Sequence, residues 1–253
     1  MARTSGSRNR DYDDKRLALL KRLGPRLSDL SRARPSFREM AGAAGVSVPT
    51  LRHYFTDREG VLQAYLVWQG GESARYRPLV ATTEDPFEHS IRRLLHGSAF
   101  GLRDMGRIGT HVVGLTEGLH NARVGPSYLQ ATLEPLLASV EQRLTLHVAR
   151  GEMRAVDLRH AAISLLAPLL LAILHQRELG GASVRQLDLD RFLDDHAAAF
   201  VRAHAADPPA ARRPKRTPSV PPAARKGGGP PSLTTGTRTA AGRPRRSGTR
   251  SRR

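Results

Sequence analysis

The feature that most constrains this chain is a glycine, Gly45, set between two short amphipathic segments in residues 36–55, SFREMAGAAGVSVPTLRHYF. Ser36 is a good N-cap, and Glu39 three residues later completes a capping box, so a helix is predicted to start there. Phe37, Met40 and Ala41 supply its apolar face. Gly42, Ala43 and Ala44 are small, as two closely approaching helices require. Gly45 stands where the chain must turn, a position that favours a residue tolerant of positive φ. Val46 reads as the apolar plug between the helices. Ser47 caps a second helix, in which Pro49 sits early enough that its missing N–H is an orphan donor anyway. Leu51 and Phe55, four residues apart, face the core.

The geometry predicted is a helix, a tight turn and a short second helix with a polar outer face. In helix-turn-helix proteins such a second helix enters the DNA major groove and its N-terminal side chains touch base edges. Thr50 can donate or accept there, and Arg52 can fork onto guanine or grip a phosphate. Val48 and Pro49 offer only apolar contact. His53 and Tyr54 carry donors suited to phosphates, and Arg58, in the first turn of the next helix, is placed for another. With the two caps, Ser36 and Ser47, these form the candidate DNA-binding set. Two packed helices without a DNA role are the bland alternative, and the density of the match argues against it.

Charge distribution points the same way. Residues 1–66 hold 13 basic and 7 acidic side chains, residues 67–206 hold 15 of each, and residues 207–253 hold 13 basic and 1 acidic. Basic ends on a neutral middle attract polyanions, because each neutralised phosphate releases counterions. Cysteine is absent, which removes disulfides, thiolate metal sites and a Cys nucleophile. Residues 1–16 show no signal-peptide pattern. The longest apolar run, residues 165–174, is interrupted by Pro168 and falls short of the roughly 20 residues of a membrane span, so it reads as a buried helix segment. A cytoplasmic protein with no membrane association is expected.

Elsewhere the pattern is helical, and an all-α fold is predicted. Residues 1–13 read as a flexible basic arm. Residues 14–66 form the helix-turn-helix domain, opening with leucines at 17, 20, 23, 27 and 30, where Gly24-Pro25 predicts a kink or two short helices. Thr56 and Glu59 read as a capping box for a helix running to about Arg75. Residues 67–206 form a second helical domain: a linker at 78–84, then helices from Asp85-Pro86 to about 103, over 107–122, over 127–150 after Gly125-Pro126, over 157–176 capped by Asp157, and over 188–204. Residues 207–253 are rich in Pro, Gly and Arg with two large aliphatics, Val220 and Leu233, and are predicted to be disordered.

The block from Phe37 to Ser47, with Thr50-Leu51, His53-Tyr54-Phe55, Asp57-Arg58-Glu59 and Leu62, resembles the DNA-binding domain of tetracycline-repressor-like (TetR family) regulators. The resemblance implies a homodimer in which 157–176 and 188–204 of each subunit form a four-helix bundle. It implies a small-molecule pocket in the middle domain and release from DNA on ligand binding, usually as a repressor. Polar and aromatic candidates for that pocket are Phe100, His111, His120, Tyr128 and His175; no cofactor is implied beyond an effector whose identity stays open. The chain departs from the family in Arg52, where Tyr is frequent, in lacking Gly near Ser31, and in Pro25. The 47-residue basic tail is outside the family pattern.

Other strings carry less. Gly242-Arg-Pro-Arg-Arg246 resembles an AT-hook core, which lays Arg along a narrow minor groove, but Arg-rich composition alone produces it, and a sequence-independent electrostatic grip is the stronger reading. Arg212-Arg-Pro-Lys-Arg216 has the same two readings. His111, Glu117 and His120 lie close in sequence but lack the clear partners of a metal site. Gly227–Gly229 lacks the Lys-Ser/Thr of a phosphate loop, and neither G-x-S-x-G nor H-E-x-x-H occurs, so no enzyme is predicted. Two alternatives to a ligand-responsive regulator remain: an architectural DNA-binding protein that uses the basic tail, and an adaptor that binds a protein partner.

Overall fold

Residues 5–29 and 33–206 of a computed structural model are described. The tail at 207–253, its strings at 212–216 and 242–246, and most of the 31–35 linker's start lie outside the described residues. The leucine stripe builds helix α1 (Ser5–Ser28), with Leu19, Leu20, Leu23 and Leu27 buried. Pro25 sits three residues from its end, where few hydrogen bonds remain to be lost, so one helix forms rather than two. Residues 5–13, expected as a flexible arm, are helical. The reason is tertiary: Tyr12 stacks on Tyr54, with ring centroids 4.9 Å apart.

Helix α2 (Phe37–Ala44) and helix α3 (Val48–Phe55) form the predicted pair. Gly45 takes the left-handed conformation, φ 68° and ψ 34°. Its N–H and that of Val46 return to the Gly42 and Ala41 carbonyls, each at 3.0 Å. Helix α4 (Arg58–Ala74) follows, but its cap is Asp57 and not Thr56. The Asp57 carboxylate accepts from Gly60 N–H at 2.7 Å, and a carboxylate at a helix N-terminus also gains from the macrodipole. Thr56 instead closes α3 with φ 66°.

The supposed linker at 78–84 contains helix α5 (Arg77–Ala81). It is held by a buried arginine from helix α9 (Glu134–Ala149). Arg143 donates to the carbonyls of Leu79, Val80 and Thr82 and to Ser90 Oγ, all within 2.8 Å. These are the carbonyls a helix C-terminus leaves unpaired. Helix α6 (Phe87–Arg103) and helix α7 (Ile108–Gly118) come next. Gly125-Pro126 does not punctuate the following helix. It lies inside helix α8 (Val124–Tyr128), whose first turn tolerates proline. A π-helical turn, Leu129–Leu133, joins α8 to α9. Asp157 caps helix α10 (Leu158–Ile173), which continues as a π turn to Glu178. Helix α11 (Gly181–Val184) and helix α12 (Leu189–His204) complete the described chain. Among the described residues there is no strand, only one isolated bridge between Met153 and Ala205.

Two cores result. One joins α1 to α4 with Val113, Val124 and Tyr128 from α7 and α8. The other joins α6, α9, α10 and α12, around Ile91, Leu95, Leu144, Leu165 and Leu193. Helix α4 runs through the expected domain boundary at 66/67. Its crossing with the π turn is close: a Cβ on Gly70 would overlap the Ala131 carbonyl oxygen, whereas a Cβ on Gly71 meets nothing within 4 Å. The two neighbours should therefore respond oppositely to alanine. Gly70→Ala is expected to destabilise by about 1–3 kcal/mol through overpacking, and Gly71→Ala to stabilise by about 0.5–1 kcal/mol through helix entropy. Urea titration of both variants checks this; equal responses would show that α4 and the π turn do not cross so tightly.

Candidate nucleic-acid interface

The interface is built outward from two buried side chains. Leu51 is fully buried and Phe55 nearly so, which fixes the rotation of α3 and turns its other face outward. Pro49, Thr50, Arg52 and His53 are exposed there, and Val48 and Tyr54 are half-buried at its edges. Ser47 Oγ accepts from Thr50 N–H at 3.2 Å, and the two hydroxyls share a hydrogen bond of 2.8 Å. Thr50 Oγ1 is thus held at the N-terminal turn. Ser36 N–H donates to Glu39 at 2.7 Å and Ser36 Oγ accepts from Glu39 N–H at 3.3 Å. The Ser36 N–H donated to the carboxylate, with the Ser36 hydroxyl beside it, holds the Glu39 carboxyl below its ordinary pKa. The Arg52 guanidinium rests 5.6 Å from the Phe37 ring centroid, a cation–π contact that spans α2 and α3.

Solved structures similar in fold include transcription regulators. A TetR transcription regulator from Haloarcula marismortui has a TM-score of 0.61 at 15% identity, covering 76% of this chain and 99% of that one. A TetR-family regulator from Marinobacter aquaeolei has a TM-score of 0.54 at 22% identity, covering 79% and 100%. A flavonoid-responsive regulator has a TM-score of 0.56 at 17% identity, covering 76% and 98%. The chain has the fold of the TetR-family transcriptional regulators. No family model and no curated protein matches the sequence.

Within this TetR fold one sequence-based assignment fails. Arg58 is not available to a phosphate. Its Nη atoms donate to both carboxylate oxygens of Glu117 in α7, at 2.9 and 2.7 Å, and its Nε donates to the Pro35 carbonyl at 2.9 Å. Glu117 is nearly buried. Burial opposes its ionisation, but the hydrogen bonds and charge of Arg58, helped by Arg34, outweigh that and hold its carboxyl below the usual range. Arg34 also donates to the Thr116 carbonyl at 2.8 Å. A second link lies beside it: Arg123 pairs with Asp57 at 2.8 Å and with Gln63 at 3.2 Å, and Gln63 donates to Ser127 at 3.0 Å. The start of α4 is thereby braced against α7 and the segment leading into α8. Proximity of Arg58 to the motif was legible in the sequence; a partner 59 residues away was not.

The five effector candidates do not share a cavity. Phe100 and His175 are exposed on separate helical segments, and His120 is exposed with Nδ1 near its own Thr116 carbonyl. His111 and Tyr128 are brought together, Nδ1 to hydroxyl at 2.8 Å, but both are buried in close packing. A cavity of about 370 Å³ lies elsewhere, between Arg16, Tyr54, Phe55, Gln63, Val67 and Arg123. Among the described residues no group of three His, Cys, Asp or Glu could hold a metal.

One constellation was invisible in the sequence. Ser90 Oγ is 2.8 Å from His147 Nε2, and His147 Nδ1 is 2.6 Å from Glu152 Oε2. This is the connectivity of a nucleophilic relay. Ser90 and His147 are fully buried, and Arg143 donates to the Ser90 oxygen at 2.8 Å. A substrate carbonyl has no approach to Ser90.

Two predictions follow from these buried groups. Glu117→Ala leaves the Arg58 charge without its partner, and is expected to cost about 2–3 kcal/mol in denaturant unfolding, less than for a fully buried pair because Arg58 keeps some solvent. His111 supplies a pH dependence. Burial, with the charge of Arg107, pushes its pKa from 6.5 down to about 4. Above 6.5 it is neutral in both folded and unfolded chains. Below that the unfolded chain takes up the proton first, so stability falls as pH drops toward 4, by about 3 kcal/mol. Unfolding titrations of the protein and of His111→Asn across this window should differ in slope, the variant being flatter.

Proposed function

We propose that the chain is a homodimeric, DNA-binding transcription regulator, a repressor that leaves its operator when a small molecule binds. The observation that carries this reading is the outer face of α3: Pro49, Thr50, Arg52 and His53 stand exposed on a helix whose opposite side is locked by Leu51 and Phe55. Thr50 and Arg52 read bases, while His53 and Tyr54 hold phosphates. The protein is cytoplasmic on this reading.

Dimerisation is supported by α10. With its π turn it is 21 residues long and apolar enough, by length and composition, to cross a membrane. Leu165, Leu169 and Ile173 face the core, but Ile163, Ala167 and Leu171 point outward. An apolar stripe of this kind is covered by a second copy, with α12 alongside it. Leu171→Glu is expected to yield a monomer in analytical ultracentrifugation; an unchanged dimer would place the interface elsewhere.

Effector response is supported by the flavonoid-responsive structural neighbour and by two buried polar atoms without partners, Trp68 Nε1 in α4 and Thr132 Oγ1 in the π turn packed against it. The Ser90–His147–Glu152 chain is read as structural, because its serine is sealed, and no enzymatic activity is proposed.

The test is selection of the purified protein against random DNA duplexes, followed by sequencing. A two-fold symmetric consensus with half-sites about 34–36 Å apart is expected. Thr50→Ala and Arg52→Ala should each weaken binding to that consensus by about 1–3 kcal/mol and relax preference at one position. Unchanged affinity in both would remove α3 as the reading element. The second reading, an architectural protein gripping DNA through the basic residues 207–253, predicts no consensus and loss of binding when those residues are deleted.

A further inference from the structure

The C-terminal end of α3 is closed from an unexpected place. Arg52 O accepts from Thr56 N–H at 2.9 Å, and Phe55 O accepts from Asp57 N–H at 2.7 Å. The two carbonyls between them, of His53 and Tyr54, meet the Tyr12 hydroxyl, at 3.3 and 3.4 Å. Tyr12 belongs to the part of α1 that precedes the leucine stripe. Its ring lies 4.9 Å from that of Tyr54, tilted by 30°, and 5.7 Å from that of His53, edge-on at 83°. One turn further along α1, Arg16 sets its guanidinium 5.2 Å from the Phe55 ring centroid, beside the negative end of the α3 dipole. Two residues spaced i, i+4 on α1 thus hold one helix end. The same helix reaches the end of α2, where Arg22 donates to the Ala44 carbonyl at 3.3 Å.

Leu51 and Phe55 fix how α3 rotates about its axis. Of the last turn's outer side chains, His53 is exposed and Tyr54 only partly packed against the core. Tyr12 adds a second contact to both. We propose that Tyr12 is a positioning residue for DNA binding, which aims the Tyr54 hydroxyl at the DNA backbone by clamping the end of the recognition helix. This rests on the reading of α3 as the DNA-contacting helix. Tyr12 itself makes no base contact in this scheme, so its loss lowers affinity without changing which bases are preferred.

The experiment is a double-mutant cycle on the duplex selected by the unaltered protein, measured by fluorescence anisotropy at fixed salt. Failure of the unaltered protein to select any duplex would overturn the reading of α3, and is thereby distinct from failure of the clamp. Given a duplex, Tyr12→Ala and Tyr54→Phe are each expected to lose about tenfold in affinity, the worth of one hydrogen bond to a charged group. The double variant is expected to lose little more than either alone, because Tyr12 acts through Tyr54. Additive losses would mean that Tyr12 touches DNA by itself, and full affinity in Tyr12→Ala would mean that it does nothing; either overturns the proposal. Tyr12→Phe keeps the ring stack and guards against a Tyr12→Ala protein that does not fold. It is expected to lose about threefold, and none of that in a Tyr54→Phe background. A shifted base preference in repeat selection with Tyr12→Phe would also overturn it.

Discussion

A bidentate ion pair ties the start of α4 to the end of α7. Arg58 begins α4 and Glu117 lies in the last turn of α7, so their two hydrogen bonds fix the helix that follows α3 against α7. The Arg58 Nε bond to Pro35 draws in the segment just before α2 as well. Neither charge could stand alone where it is. A nearly buried carboxylate is tolerated only with a partner of fixed geometry, and the guanidinium fork supplies it. Because Asp57 caps α4 while also pairing with Arg123, the first turn of that helix is held on both sides. The end of α3 is therefore tied, through the first turn of α4, to α7 and to Arg123 just before α8.

Local chemistry explains what could be read in advance. Gly45, the Ser36–Glu39 box and the Ser47 cap are all decided within five residues of chain, and each has the geometry their spacing implied. The apolar period likewise placed Leu51 and Phe55 inward. What escaped was settled at long range. The cap expected at Thr56 falls one residue later, on Asp57, a carboxylate acceptor that also pairs with Arg123. The helix at 77–81 is too short to show a period, and it persists because Arg143, 61 to 64 positions away in the chain, satisfies the carbonyls at its end. Residues 5–13 have the composition of an arm, yet Tyr12 finds an aromatic surface made by α3.

The candidate effector residues show the same limit from the other side. Aromatic and histidine side chains in a run of Leu, Ala and Val look alike in sequence whether they line a cavity, bond to one another or stand in solvent. His111 and Tyr128 bond to one another; His120 and His175 stand in solvent. Ser90, His147 and Glu152 give the converse case. Three positions scattered in sequence form a connected chain, with Ser90 and His147 fully buried.

The crossing of α4 over the π turn has a consequence for movement. At Gly70 the helix backbone rests on the Ala131 carbonyl with no side chain between them. From Gly70 to Arg58 is 12 residues, about 18 Å of helix. A tilt of about 10° at the crossing would displace the start of α4 by about 3 Å over that length, far enough to break the pairs of Arg58 with Glu117 and of Asp57 with Arg123. The close approach at Gly70 and the ion pairs at the helix start thus oppose the same tilt from two places along one helix.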